Sequence, residues 1–88
     1  MNEEVLLTQL EELAGKLAIA VRKENITTEE VFSSGGLCRV EGKYILMLNS
    51  SSPVKEKNQV IIKALKQFDL SGIYIKPLIR ELLEGYEE

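Results

Sequence analysis

Residues Gly35 to Asn49 place the strongest constraint on what this chain can fold into. Two runs rich in strand-forming residues flank the pair Glu41-Gly42, and glycine there supplies the positive φ that a tight reversal needs. The pattern predicts a β-hairpin whose loop is Glu41 and Gly42. This loop fixes the predicted cross-strand pairs, which are Val40 with Lys43, Arg39 with Tyr44, Cys38 with Ile45, and Leu37 with Leu46.

The second arm of the hairpin has no polar face between Tyr44 and Leu48. A strand that is apolar on both sides is typical of the covered centre of a sheet. Asn49 and the three serines after it end this arm. We therefore expect the second arm to be the central strand and the rest of the chain to pack on it.

The chain has 88 residues, of which 44% are hydrophobic and 28% charged, as in an ordinary globular protein. This length predicts a single domain over residues 1–88, and a domain of this size hides only about 60 to 65% of its unfolded surface. One cysteine allows no internal disulfide, which favours a reducing compartment. The acidic first twenty residues exclude a standard secretory signal, and no apolar run approaches a membrane span. We expect a cytoplasmic protein without a membrane segment.

The first helix is predicted to begin after Asn2, which can cap it, and to bury Leu6, Leu10 and Leu13 on one face. Beyond Ala14 two interpretations remain. The helix could continue through Val21, or Gly15 could end it and residues 19–23 could form a strand. We favour the strand, because a longer helix would be apolar all round and a domain this small can hardly surround it.

Three more segments have a helical pattern. Thr27 to Phe32 begins with a capping box and predicts one helical turn in a connection that we expect to be mobile. Ser52-Pro53 predicts the start of a second long helix that runs to about Phe68. Pro77 can open a last helix that Gly85 ends, with four apolar residues turned inward, namely Leu78, Ile79, Leu82 and Leu83.

These elements predict a small α+β fold. It consists of an N-terminal helix, a three-stranded antiparallel sheet centred on the hairpin, and two C-terminal helices that cover one face of the sheet.

Recognisable chemistry is sparse in this sequence. It contains no histidine and a single cysteine, so the usual proton shuttle and the usual soft metal ligands are missing, and we assign no catalytic, cofactor-binding or metal-binding residue. Cys38 is adjacent to Arg39, and a nearby cation favours a thiolate. Adjacent strand residues point to opposite faces, however, so we expect Cys38 to be a small buried hydrophobic residue and the protein not to be an enzyme.

A basic surface is the second candidate feature. Lys55, Lys63 and Lys66 fall on one face of the predicted second helix. The hairpin could extend this surface with two cations and one aromatic residue, namely Arg39, Lys43 and Tyr44. The net charge of −3 argues against a dedicated nucleic-acid binder, so weak binding of nucleic acid or of an anionic ligand is the alternative function, and a solvated polar face is the better interpretation.

The favoured function is that of a non-catalytic protein-interaction module, because the chain has a core and surfaces but no chemical constellation. An open sheet has two edges, and helices on one face could leave Leu37, Leu46 or Leu48 partly exposed. Such a patch could bind a partner protein, and a second copy of the chain is the simplest partner. We therefore expect a protein partner or a homodimer at this hairpin face.

Several of these elements resemble a family of small bacterial proteins with no assigned activity, over residues from about 4 to 84. The shared features are the Gly35 to Arg39 start of the hairpin, the apolar strand ending in Asn49, Pro53 at a helix start, the sequence Phe68-Asp69-Leu70, and Tyr74 to Pro77 before Arg80-Glu81. This resemblance implies a bacterial source, and it does not supply an activity.

The order of helix, strand, hairpin and helix is also similar to the core of the repressor-cleaving zinc peptidases of bacterial mobile elements. In that family a His-Glu-x-x-His motif lies on the helix after the hairpin. The two histidines would fall near Ala64 and Phe68 of this chain and the glutamate near Leu65. The resemblance therefore implies a form without the metal ligands and without the catalytic base.

Overall fold

The computed structural model of the chain describes residues 2–25 and 35–85. In chain order its elements are α1 (Glu3–Lys16), β1 (Ala20–Glu24), β2 (Gly35–Val40), β3 (Lys43–Asn49), α2 (Val54–Leu65) and α3 (Pro77–Gly85). The fold is α+β, as the sequence predicts. The helical turn predicted at Thr27 to Phe32 lies outside the described residues.

The three strands form one sheet in the order β1-β3-β2. Strands β2 and β3 are antiparallel, and the predicted hairpin register is confirmed from Val40 opposite Lys43 to Leu37 opposite Leu46. Both loop residues have positive φ, 52° at Glu41 and 81° at Gly42, as the two-residue loop of a tight hairpin requires. The turn chemistry alone was therefore sufficient to set this register.

Strand β1 runs parallel to β3, with Ala20 opposite Ile45 and Glu24 opposite Asn49. The prediction of a purely antiparallel sheet is therefore wrong, and the sheet is mixed. The reason is that β3 occupies the centre and needs a second neighbour besides β2. Because β1 runs opposite to β2, it is parallel to β3 when it fills that place.

The core lies on one side of the sheet. Helices α1 and α2 pack against each other, α1 also packs on β1, and α2 also packs on β2 and β3. Leu46 and Leu48 of β3 lie beneath these helices and have no exposed surface. Helix α3 completes this core with Ile79 and Leu83. Helix α1 therefore shares with α2 the covering role that the sequence assigned to the two C-terminal helices.

The segment after α1 is the strand that we favoured, not a longer helix. The helix ends at Lys16, and the residue with left-handed backbone is Ala18, with φ 61°, whereas Gly15 is still helical. The amide of Ala18 donates to the carbonyl of Gly15 (3.1 Å), and the amide of Ile19 donates to that of Ala14 (3.0 Å). This pair of bonds is a Schellman motif, and it directs the chain from α1 into β1.

Helix α2 begins one residue later than predicted and ends about one turn earlier. Pro53 precedes the first helical residue, and no side chain caps this end. After Leu65, turn-type bonds from Gln67 to Ala64 and from Phe68 to Leu65 close the last turn. The Asp69 carboxylate then accepts a hydrogen bond from the amide of Ser71 (3.0 Å). This bond, together with a hydrogen bond from the Ser71 side chain, holds the pKa of Asp69 below its ordinary value.

Ala18→Gly is expected to stabilise the protein by about 0.5 to 1 kcal/mol. Left-handed backbone costs a non-glycine residue about 1 to 2 kcal/mol, and glycine removes this cost. The greater conformational entropy of glycine in the unfolded chain offsets part of the gain. Thermal unfolding followed by circular dichroism should show a midpoint several degrees higher. Ala18→Val at the same exposed position should lower the midpoint. A lower midpoint for the glycine variant would contradict the assigned backbone.

Candidate functional site

An apolar groove lies between α1 and α3. Leu6, Leu78, Ile79 and Leu82 line a cavity of about 190 Å³. The sequence predicted all four apolar residues of α3 to point inward, and this is correct for Ile79 and Leu83 only. Leu78 is 54% exposed and Leu82 is 36% exposed. Four apolar positions in one short helix span more than its buried face, so two of them form the outer wall of the groove.

A second, smaller cavity extends this groove along α1. It is lined from α1 by Gln9, Leu13 and Lys16 among others, and from the chain before α3 by Tyr74 and Lys76. Ile79 lines both cavities, so they are adjacent, and the order of their lining residues shows that the chain from Tyr74 to Leu82 runs in the opposite direction to α1. We call this surface the α1–α3 groove, and its lining includes Leu6, Gln9, Leu13, Tyr74, Leu78, Ile79 and Leu82.

The two ends of the α1–α3 groove differ in polarity. The end at Leu6 and Leu82 is apolar, whereas Glu12, Lys16 and Lys76 line the other end, where Tyr74 is 72% exposed. The side-chain oxygen of Gln9 at this polar end is buried and has no hydrogen-bond partner. Sequence reasoning did not identify this groove, and its one signal was the excess of apolar residues in α3.

The predicted basic surface is only partly assembled. The Arg39 guanidinium lies 5.4 Å from the centre of the Tyr44 ring, and the edge of Tyr44 meets Phe68 at a centroid distance of 4.9 Å. Both contacts follow from the hairpin register, which places Arg39 opposite Tyr44, and from the return of α2 towards the hairpin. Phe68 is the member of this cluster that the sequence did not identify as part of a surface.

Two of the remaining members of the basic surface, Lys43 and Lys55, lie apart from the others. Lys43 is adjacent to Tyr44 in β3, so its side chain points to the other sheet face. Lys55 is in the first turn of α2, about 12 Å along the helix axis from Lys63, while Lys66 follows the last helical residue. In the part of the chain that the structure describes, these cations do not form one continuous basic track, and we do not adopt that alternative function.

The predicted hairpin interface is wrong for Leu46 and Leu48. Both side chains are fully buried beneath the helices, and Leu37 is half-buried and packs against the same core. The sheet face away from the helices instead carries Ile45 and Met47, which are half-buried. The hydrophobic pattern of β3 is the same on both faces, so it could not show which face the helices cover.

Cys38 is exposed, so the prediction of a buried thiol is also wrong. It lies opposite Ile45 on the face away from the helices, while its neighbours Leu37 and Arg39 lie on the helix side. The alternation of strand residues was correctly inferred, but Cys38 was assigned to the wrong face.

The described residues include no group of three or more histidine, cysteine, aspartate or glutamate side chains that could hold a metal ion. At the positions where the zinc peptidases have their motif, Ala64 and Leu65 are buried in the core and Phe68 contacts Tyr44. No helix within residues 2–25 and 35–85 combines the length and the apolar character needed to cross a membrane.

Comparisons of the chain with protein-family models, with curated proteins and with solved structures find no match. The two family resemblances therefore stay predictions.

Cys38 is expected to react readily with a thiol reagent such as Ellman's reagent in the native protein, because its side chain is exposed. Cys38→Ser should change the free energy of unfolding by no more than about 0.5 kcal/mol. The matched control is Ala64→Cys in the Cys38→Ser background, whose buried thiol should react only as fast as the domain opens. Equally slow reaction of the two thiols would contradict the exposure of Cys38.

Proposed function

We propose that this protein is a non-catalytic interaction module and that its α1–α3 groove receives an amphipathic helix of a partner protein. The observation that supports this proposal is the exposure of Leu78 and Leu82, one helical turn apart, beside Leu6 on the facing helix. A partner that covers them removes apolar surface from water, which contributes roughly 25 cal/mol for each Å².

The size of the groove suits a short helix. Its wall on α1 runs from Leu6 to Lys16, about 15 Å along the helix axis, which corresponds to about three turns of a bound helix. Helices that bind in such grooves use apolar anchors at spacings of three, four and seven residues. Such anchors could fill the space between Leu6 and Leu82.

The polar end of the groove favours one orientation of the bound helix. Lys16 and Lys76 outnumber Glu12 among the charged lining residues there. The carboxyl end of a helix carries partial negative charge, so it is favoured next to the two lysines, and acidic side chains in its last turn strengthen the attraction. The partner helix therefore runs in the direction that brings its last turn to Lys16 and Lys76.

The proposal predicts that a helical peptide of about 14 residues, with apolar anchors at these spacings and an acidic last turn, binds the protein. Fluorescence anisotropy of a library of such labelled peptides measures the affinity, and amide chemical shifts of the labelled protein locate the site. We expect the shifts to cluster at Leu6, Leu78 and Leu82. Leu82→Glu should weaken binding at least about tenfold, because it places a charge on the apolar wall.

Val40→Glu is the matched control, since Val40 is also an exposed apolar residue but lies at the hairpin. It should leave peptide affinity unchanged. Exchanging the acidic last turn of the peptide for a basic one should weaken binding. The proposal is wrong if no peptide of the library binds tighter than about 100 μM, or if Leu82→Glu and Val40→Glu have the same effect.

A further inference from the structure

The two edges of the sheet differ in charge. Edge strand β1 carries Arg22, Lys23 and Glu24, which form ion pairs of 2.8 Å between Arg22 and Glu24 and 2.9 Å between Lys23 and Glu11. Edge strand β2 has Arg39 as its one charged residue and begins with two glycines. Charged side chains on an edge strand oppose pairing with another strand. The β1 edge is protected in this way by three charged residues, whereas β2 has one.

The hairpin register identifies which backbone groups of β2 point outward. Val40 and Lys43 flank the two-residue loop, so they form a hydrogen-bonded pair, and the inward groups then alternate along β2 to Cys38 and Gly36. The amide and carbonyl groups of Gly35, Leu37 and Arg39 therefore face away from β3. Within the described part of the chain they have no backbone partner outside the sheet, so they offer a row of donors and acceptors to an added strand.

We propose that these groups bind the β2 strand of a second copy of the chain. The two β2 strands are antiparallel, and the two-fold axis that relates the copies passes between their Leu37 residues. This goes beyond the proposed function, since it uses a different surface and another partner. The two three-stranded sheets then form one continuous sheet with all helices on the same side. Pairing of Leu37 with the partner's Leu37, and of Gly35 with the partner's Arg39, gives up to about six backbone hydrogen bonds.

The side chains of β2 are compatible with this self-pairing. The two Leu37 side chains meet on the helix side of the sheet, where each is already half-buried. Each Arg39 lies opposite a glycine, so no like charges face each other. Each Cys38 lies opposite the partner's Gly36, and the space at Gly36 is open, since a Cβ there would meet no atom within 4 Å. The charge pattern, the open space at Gly36 and the self-complementary Leu37 contact are therefore all compatible with a second copy of β2.

Light scattering across a concentration series tests this proposal. Wild-type protein is expected at twice its mass of 9.9 kDa. Cys38→Lys, at an exposed position in β2, should raise the dissociation constant at least about tenfold, because it adds an edge lysine near the symmetry axis. Ala20→Lys is the matched control, since Ala20 is exposed on the same sheet face and also lies opposite Ile45, but on β1. It should leave the mass unchanged.

Hydrogen exchange gives a residue-level readout of the same contact. Protection of the Leu37 and Arg39 amides should rise with protein concentration, because these groups become bonded only in the dimer. Leu37→Cys in the Cys38→Ser background should form an interchain disulfide when diamide is added, since a hydrogen-bonded cross-strand pair has Cα atoms about 5.5 Å apart. Leu82→Glu should leave the dimer intact, which separates this proposal from the groove proposal.

A wild-type protein that stays at 9.9 kDa up to about 100 μM, with exchange at Leu37 and Arg39 independent of concentration, would overturn the proposal. Loss of the dimer in Ala20→Lys as well as in Cys38→Lys would also overturn it, because the contact would then involve the whole exposed sheet face and not the β2 edge.

Discussion

The burial of Leu46 and Leu48 in the central strand is the interaction on which the rest of the structure depends. Both side chains are fully covered, and strand β3 pairs with β1 on one side and β2 on the other. Fully burying one leucine contributes about 1.5 to 3 kcal/mol, so these two positions together contribute an amount similar to the net stability of a small domain. Helices α1 and α2 pack over them, and α3 then packs next to α1.

A single buried amide links this core to the α1–α3 groove. Asn58 of α2 is buried, and its side-chain nitrogen donates to the backbone carbonyl of Glu3 (3.0 Å). Asn2 caps the same end of α1 by accepting the amide of Val5 (2.8 Å). The Asn58 bond fixes the first turn of α1 against α2, and the Asn2 bond closes that turn. Because Leu6 follows directly in that helix, they also set the position of one wall of the groove.

The sequence was most informative where local chemistry decides the structure. The loop residues Glu41 and Gly42 set the hairpin register, and the apolar run of β3 indicated its central place. The parallel pairing of β1 was not predictable in this way, because it depends on whether β1 lies beside β3 or beside β2. The alternation of strand residues shows which side chains share a sheet face, but not which of the two faces the helices cover. Cys38 was therefore predicted to be buried, although it lies on the exposed face.

The α1–α3 groove was missed for a related reason. Leu78 and Leu82 carry the same apolar signal as Ile79 and Leu83, and only the packing of α3 beside α1 decides which pair is covered. A helix of this length has one buried face, so an apolar arc that is too wide for it indicates a surface with a further contact. The width of this arc can be read from the sequence.

The two proposed contacts are compatible in one assembly. Helix α1 packs on β1, the edge farthest from β2, and α3 lies beside α1, so pairing of two β2 strands leaves both grooves uncovered. A two-fold axis normal to the sheet places both grooves on the same side of the dimer, at its outer ends. A partner with two helical segments could then occupy both grooves, and the second segment would bind at a high effective concentration. Weak binding in each groove would in that case be sufficient for a stable complex.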